Sequence, residues 1–522
     1  MNATRGSRSR RLRDSPGRGE AEPELSRVKR YSARRNTTTL VVFGLVPLML
    51  VNAQWFNGFH FHSLMGDDLY AWSYYSQHVS FHDLFLAASG GKYRPVVSAA
   101  LYVLFHQFGA DYQAWVTFSV GLNFLIVCLV FALVRRITRG DTLIAFLAAV
   151  LYITSRFSYY DVLQVNGVME ALCILFLVLI LYVAVEFVQS DSRWPGYALA
   201  GLYLLITLTH ERFIALFPFL GLLVLLRKGL RWRSKGVLAG LICVPPVLNV
   251  VLKHAVFHTS FLMGTGGQAL GCDPVSIVKF MAKGFANMFW VNWGPDYLSG
   301  ITMSEVDPRA RLLVILIVVT LAAVIVLAVV RVLRLKDRSE RRTELKVFVL
   351  WLALFVPLLL MASITIRQEY RWLYAPFVVC LVYFCYQFSR LPGRAVLKYA
   401  VLVVLCVTAV GADSYFKQHE NNVFFFYGEN LADATYTATV GRYGTSMSQM
   451  TMYVQKRPDI EWVLGGTLFL SPYLGLSDQK IVWADDLKAI DLKTIDRSKS
   501  LFFRMDPATG ALDNVTSQIL GQ

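Results

Sequence analysis

The sequence predicts an α-helical polytopic membrane protein of about eleven transmembrane helices. Juxtamembrane helices occupy its first outer loop, and a small α/β extracytoplasmic domain closes the C-terminus. Three observations predict this. Of the 522 residues, 55% are hydrophobic and 16% charged, where a soluble domain carries about a quarter charged residues. Apolar runs of about twenty residues, long enough to span a bilayer, recur from Leu40 to Val410. Finally, the Lys and Arg clusters fall between alternate runs, as they do in cytoplasmic loops.

Residues 1–38 are rich in Arg, Ser and Gly and lack apolar periodicity, which reads as a disordered basic tail. The apolar run after it starts too late for a cleavable signal peptide. With the tail cytoplasmic, a first span at about 39–55 carries Asp67 and Asp68 to the outside. The next apolar stretch, 95–109, has only about fifteen residues and ends at Gly109, so it reads as juxtamembrane. Ten further spans follow, at about 113–134, 141–155, 167–188, 195–209, 212–226, 236–252, 312–334, 346–364, 372–388 and 396–412. The basic loops "RRITRGD", "RKGLRWRSKG", "RVLRLKDRSERR" and "SRLPGRAVLK" then all lie inside. Counting 95–109 as a span would put them outside, against the positive-inside rule.

The domains are thus the tail at 1–38, a transmembrane domain at 39–412 and an extracytoplasmic unit at 413–522. In the last, "TATVGRYGTSMSQMTMYVQKR" reads as a helix, and "WVLGGTLFL", "KIVWA" and "SLFFRM" as strands, with a turn at "DPATG". It shows no catalytic pattern and reads as structural or acceptor-positioning. The net charge of +16 fits a membrane protein with basic inner loops, and with no reading module in view nucleic acid is excluded as a partner. Six of the seven cysteines lie in apolar runs and Cys272 in a polar segment, so no disulfide framework is implied.

Ionisable residues next to the spans are expensive unless solvated, paired or lining a cavity. Those on the predicted outer side are Asp67, Asp68, Lys92 and Arg94 in the first loop, Asp161 and Glu170 around the third and fourth spans, and His210, Glu211 and Arg212 between the fifth and sixth. Arg367, Glu369 and Arg371 precede or open the tenth. Each has a plainer reading. The acid pair can be a solvated boundary, Glu170 a first-turn acid favoured by the helix dipole, and "HER" a solvated turn. Arg371, beside Trp372 and Tyr374, suits a snorkelling anchor or a phosphate ligand equally. His60 and His62 in "FHFH" have a metal-like spacing but no third ligand, and read as interfacial packing. Together the groups suit surface chemistry on a substrate with an anionic head and a lipid tail. Arg and Lys would hold phosphate, and a carboxylate would take a hydroxyl proton.

The arrangement resembles the GT-C superfamily of membrane glycosyltransferases, in particular the protein mannosyltransferase and lipid A aminoarabinose transferase branch. The resemblance rests on "GDD" (Gly66, Asp67, Asp68), "KYRPVVSAALYVLFHQFG" (Lys92–Gly109), "THERFIALFP" and "EYRWLYAP", and covers about residues 39–412. The late element reads Arg-Trp-Leu-Tyr rather than Arg-Tyr, and the C-terminal domain matches no module of the family.

The resemblance implies an inverting transfer of a sugar from a polyprenyl-phosphate donor to a hydroxyl of a glycan, lipid or protein, outside the cytoplasm. It implies Asp67, or else Asp68, as general base. Lys92, Arg94, Arg212 or Arg371 would stabilise the leaving phosphate, and His210, Glu211, Glu369 and Tyr374 would complete the substrate site. Glu211 would orient the acceptor, pair with a cation or ligate a metal. No obligatory cofactor is expected, and a divalent cation, Mg²⁺ or Mn²⁺, is left open. The other function class is a transporter or flippase of lipid-linked sugars, against which stands the lack of internal repeats. The expected location is a bacterial cytoplasmic membrane, N-terminus inside and C-terminus outside.

Overall fold

The computed structural model describes residues 44–57, 61–85, 93–256, 258, 273–293, 301–364, 370–419, 426–475, 480–506 and 512–521. The helices are, in order, α1 (Val46–Phe56), α2 (Asp67–Ser73), α3 (Pro95–Phe108), α4 (Tyr112–Ile137), α5 (Thr142–Thr154), α6 (Ser158–Leu163), α7 (Gly167–Gln189) and α8 (Trp194–Thr209). Then come a 3₁₀ turn at Glu211–Leu216 running into α9 (Phe217–Leu226), α10 (Trp232–Val251), α11 (Pro274–Asn287), α12 (Pro308–Arg334), α13 (Arg338–Ser363), α14 (Tyr370–Ser389) and α15 (Ala395–His419).

Their starts follow from local chemistry. Asp111, Asp141, Asp273, Asp307 and Asp337 each cap a helix by accepting an N–H of its first turn. Proline stands in the first turn of α1, α3, α8, α9, α11 and α12, where its missing N–H costs nothing.

Among the described residues, seven helices are long and apolar enough to cross a membrane: α4, α7, α10, α12, α13, α14 and α15. The 26 residues of α4 reach about 39 Å, more than the hydrocarbon thickness of about 30 Å. Along α12, Leu312, Ile315, Val319, Val326, Val329 and Leu333 are exposed, an apolar stripe that only lipid would cover. The chain is a multi-pass membrane protein. The predicted spans overlap helical segments where residues are described, but α5 has 13 residues and α3, read as juxtamembrane, has 14. Length does not separate the two. Polar contacts join spans as well: Asn123 donates to the Asn52 side chain at 2.6 Å, and Asn52 to the Val120 carbonyl at 3.1 Å, fixing α1 on α4.

Helix α15 runs unbroken across residue 412 to His419. The C-terminal unit then contains α16 (Phe426–Tyr436), β1 (Thr451–Gln455), α17 (Pro458–Val463), α18 (Ser471–Leu474), β2 (Ile481–Ala484), β3 (Ser500–Met505), β4 (Leu512–Asn514) and α19 (Thr516–Leu520). The sheet order is β2-β1-β3-β4, parallel except at the β3–β4 edge. Met452 is in register with Ile481 on one side and Leu501 on the other.

Two expectations are corrected here. The stretch read as one helix, "TATVGRYGTSMSQMTMYVQKR", breaks into short helical turns and then β1. "WVLGGTLFL" is not a strand: Trp462 and Val463 end α17, and Gly465 and Gly466 both have positive φ, which breaks any ladder. "KIVWA" and "SLFFRM" are strands as expected, while most of "DPATG" lies outside the described residues.

This unit packs directly on the first loop. Gly66 N–H donates to the Val463 carbonyl at 2.8 Å, and Leu64 N–H to the Tyr473 hydroxyl at 2.6 Å. His62 contacts Asp433 through its backbone N–H at 2.8 Å and Nδ1 at 2.9 Å, and its ring stacks on Tyr436. Gly66 has φ +50, and a Cβ there would lie 2.7 Å from the Trp462 ring. Gly465, at φ +58, would in turn meet Leu69 at 2.9 Å. Gly66→Ala therefore carries both backbone strain and overpacking, and is expected to destabilise the protein by about 2 kcal/mol or more. Thermal unfolding of the detergent-purified protein measures it, and an unchanged midpoint would contradict this packing.

Candidate active site

Gly66 turns the chain so that α2 begins on the acid pair, with both carboxylates in its first turn, where the helix dipole favours negative charge. Neighbouring residues on a helix point about 100° apart, and here the two acids separate completely. Asp67 is exposed. Asp68 is 1% exposed, and its two oxygens accept the N–H groups of Val165 and Asn166, each at 2.9 Å. Burial raises the Asp68 pKa to about 7, against the pull of those two donors.

Asp68 thereby fastens the first loop to residues 165–166, immediately before α7. The neighbouring backbone is drawn in tightly: a Cβ on Gly167 would lie 2.1 Å from the Tyr160 carbonyl oxygen. Tyr112, at the start of α4, donates to the Leu163 carbonyl at 2.5 Å. The segment 155–170 is thus the floor onto which the other polar groups converge.

Arg94, at the start of α3, holds Glu211 bidentately, Nε to Oε2 at 2.6 Å and Nη2 to Oε1 at 2.7 Å, and its Nη1 lies 3.2 Å from the Met169 sulfur in α7. Burial alone would raise the Glu211 pKa, but the Arg94 guanidinium holds it well below the usual range. Burial, reinforced by Arg94, depresses His210 well below its ordinary value. His210 is therefore neutral, so its 3.6 Å approach to Glu211 is not an ion pair. Its Nδ1 accepts the Arg212 N–H at 3.3 Å.

The Arg212 side chain pairs with Glu170 of α7, both buried. Arg371 is 8% exposed and turned inward, donating to the Tyr160 hydroxyl with its guanidinium 4.6 Å from that ring's centre. The snorkelling reading of Arg371 is thereby corrected. Tyr374 is fully buried and stacks on Tyr152 and Phe157. Lys92 and Glu369 lie outside the described residues.

Of the residues predicted for a site, the structure brings Arg94, His210, Glu211, Arg212 and Arg371 around segment 155–170, with the acid pair tied to it through Asp68. The group least weighted from sequence is Asp161 of α6. It is 2% exposed, and neither of its oxygens has a hydrogen-bond partner among the described residues. Burial, and then Glu170, pushes its carboxyl well above the ordinary range, with Arg212 and Arg371 pulling the other way. Its sequence signal is an acid enclosed by the aromatic run "SRFSYYDVLQVNG". No group of three or more metal-ligating side chains occurs among the described residues, and both Glu211 oxygens are engaged by Arg94. The arrangement offers an open carboxylate beside a sequestered one, and three arginines in a largely buried setting.

The fold and site define a multi-pass helical membrane protein with a small α/β unit packed on the loop that carries the acid pair. Among solved structures it is similar to the oligosaccharyltransferase of Archaeoglobus fulgidus, in complex with zinc and sulfate, at 12% identity and a TM-score of 0.41. The likeness covers 82% of this chain and 61% of that one, so the chain spans less than two thirds of that protein's length. No protein-family model matches the sequence, and no curated protein does.

The Asp68 carboxyl has its pKa raised from 3.8 to about 7, so its contribution to stability is full below 3.8 and is lost as pH rises through 7. Unfolding midpoints across that range are expected to fall with pH in the wild type and less steeply in Asp68→Asn. Equal slopes would show that Asp68 does not titrate in this window.

Proposed function

We propose that the protein is an inverting glycosyltransferase that moves a sugar from a polyprenyl-phosphate donor to a hydroxyl acceptor (glycan, lipid or protein) on the extracytoplasmic face, with Asp67 as general base. One observation carries the choice of base. Asp67 is the open member of the acid pair, whereas Asp68 is buried with both oxygens engaged. The sequence resemblance to GT-C enzymes supplies the reaction class. The eleven-span topology, N-terminus inside and C-terminus outside in a bacterial cytoplasmic membrane, belongs to the same reading.

In the reaction the acceptor hydroxyl gives its proton to the Asp67 carboxylate as its oxygen attacks the anomeric carbon from the face opposite the phosphate. The bond between that carbon and the phosphate oxygen breaks, and polyprenyl phosphate leaves with the electron pair. Donors fixed in advance around the leaving oxygens lower this barrier without reorganisation. Arg371, Arg212 and Arg94 are the donors, with Lys92 completing the set from the same loop. Arg94 holds Glu211, Arg212 holds Glu170 and Arg371 donates to the Tyr160 hydroxyl, so three guanidinium groups gather beside the acid pair. A phosphate is the ligand that such a gathering of guanidinium groups suits. His210, Glu369 and Tyr374 shape the surrounding pocket, and Glu211 orients Arg94 rather than a metal ion.

Asp67→Asn, with expression and assembly intact, is expected to lower sugar transfer by about 10²–10⁴-fold, the span of a lost general base. Asp68→Asn is expected to lose less and to keep the acid limb of the pH–rate profile. Full transfer by Asp67→Asn would remove Asp67 as the base.

A further inference from the structure

The 26-residue helix α4 starts beneath the acid pair and ends on the opposite side of the bundle, about 39 Å away. At that end Arg135, Arg136 and Arg139 line a cavity of about 470 Å³ together with Leu45, Phe131 and Ala132. Nothing in the transfer reaction uses it.

The three arginines differ in what they already do. Arg136 is ion-paired with Glu186 and donates to Tyr182 and Gln189, each at 3.2 Å. The Nε of Arg135 is buried and has no hydrogen-bond partner among the described residues. A buried guanidinium N–H without an acceptor is expensive, and a ligand oxygen removes the expense.

Arg139 has φ +60 and occupies the left-handed position that ends the helix. Gly140 N–H donates back to the Arg135 carbonyl at 2.7 Å, and Arg139 N–H to that of Arg136 at 3.3 Å. Glycine is the usual residue at such a position because it bears the conformation without strain. An arginine kept there in its place points to a use for its side chain. Asp141, two residues on, makes no ion pair with Arg139; its oxygens accept Ile144 N–H and the Tyr399 hydroxyl, each at 3.0 Å.

We propose that this cavity binds the phosphate of an anionic phospholipid in the leaflet opposite the active site. Arg135 and Arg139 supply the donors, and Leu45, Phe131 and Ala132 hold the first stretch of acyl chain. The cavity lies at the end of a span, where headgroups lie, and Leu45, Phe131 and Ala132 give it an apolar wall. Basic pockets between transmembrane helices suit such headgroups. The chain's own tail is a poor occupant, since residues 1–38 carry 11 Lys and Arg against 4 Asp and Glu.

The test uses the full chain purified in neutral detergent, exposed to mixed phosphatidylglycerol and phosphatidylcholine, with retained lipid counted by native mass spectrometry. The wild type is expected to retain phosphatidylglycerol preferentially. Arg135→Gln and Arg139→Gly are each expected to lower that retention about fivefold, the effect of one basic residue near a charged headgroup. Arg139→Gly relieves the backbone, so its melting temperature stays level or rises while the lipid is lost. Ala132→Phe fills the apolar wall and lowers retention with both arginines in place. Retention unchanged by Arg135→Gln and Arg139→Gly, or lost only together with melting temperature, overturns the site. Competition by glycerol phosphate as effective as by the intact lipid overturns the lipid as its source.

Discussion

Two hydrogen bonds hold the site together: the carboxyl of Asp68 accepting from Val165 and Asn166. They join the loop after α1 to the turn before α7, residues nearly a hundred positions apart. The arginine contacts of the candidate site gather beside that junction. Glu170 sits in the first turn of α7 and takes Arg212, Met169 beside it meets Arg94, and Tyr160 on the other side of the turn meets Arg371. A buried carboxyl is costly unless it is hydrogen-bonded, so Asp68 specifies one arrangement of the two loops. Its neighbour is left at the surface, without that duty.

The C-terminal unit completes the clamp from the other side. Gly66 and Gly465 allow the α2 turn and the α17 turn to approach within contact distance, each filling the space a side chain on the other would need. The loop carrying Asp67 is therefore held between the helix bundle below and the sheet unit above. Positions fixed in this way by packing and backbone hydrogen bonds suit a group that must meet its substrate in one orientation.

Much of this was legible in the sequence, for reasons that are local. Apolar length and basic loops located the long helices that are apolar enough to cross a membrane. "KIVWA" and "SLFFRM" read as strands because their β-branched and aromatic runs match what they become. Other features depend on partners far along the chain. Which of Asp67 and Asp68 turns inward is set by Val165 and Asn166, and no pattern near residue 67 encodes it. Arg371 looked like an interfacial anchor as much as a ligand because its partner, Tyr160, lies 211 residues away. The helix expected across "TATVGRYGTSMSQMTMYVQKR" failed because β1 gains two parallel neighbours, a tertiary reward that propensity does not register. Asp161 lacked weight because a lone acid among aromatics carries no spacing that distinguishes it.

The most direct measurement of the central claim is single-turnover transfer by the purified protein in detergent, supplied with a radiolabelled polyprenyl-phosphate sugar and a hydroxyl acceptor. Detergent leaves no two compartments, so a flippase has nothing to transport there while an enzyme still works. The account predicts that label moves to the acceptor as free polyprenyl phosphate accumulates in equal amount. Label that stays on the lipid across a panel of donor sugars and acceptors, while the same protein in vesicles moves the donor between leaflets, would contradict it.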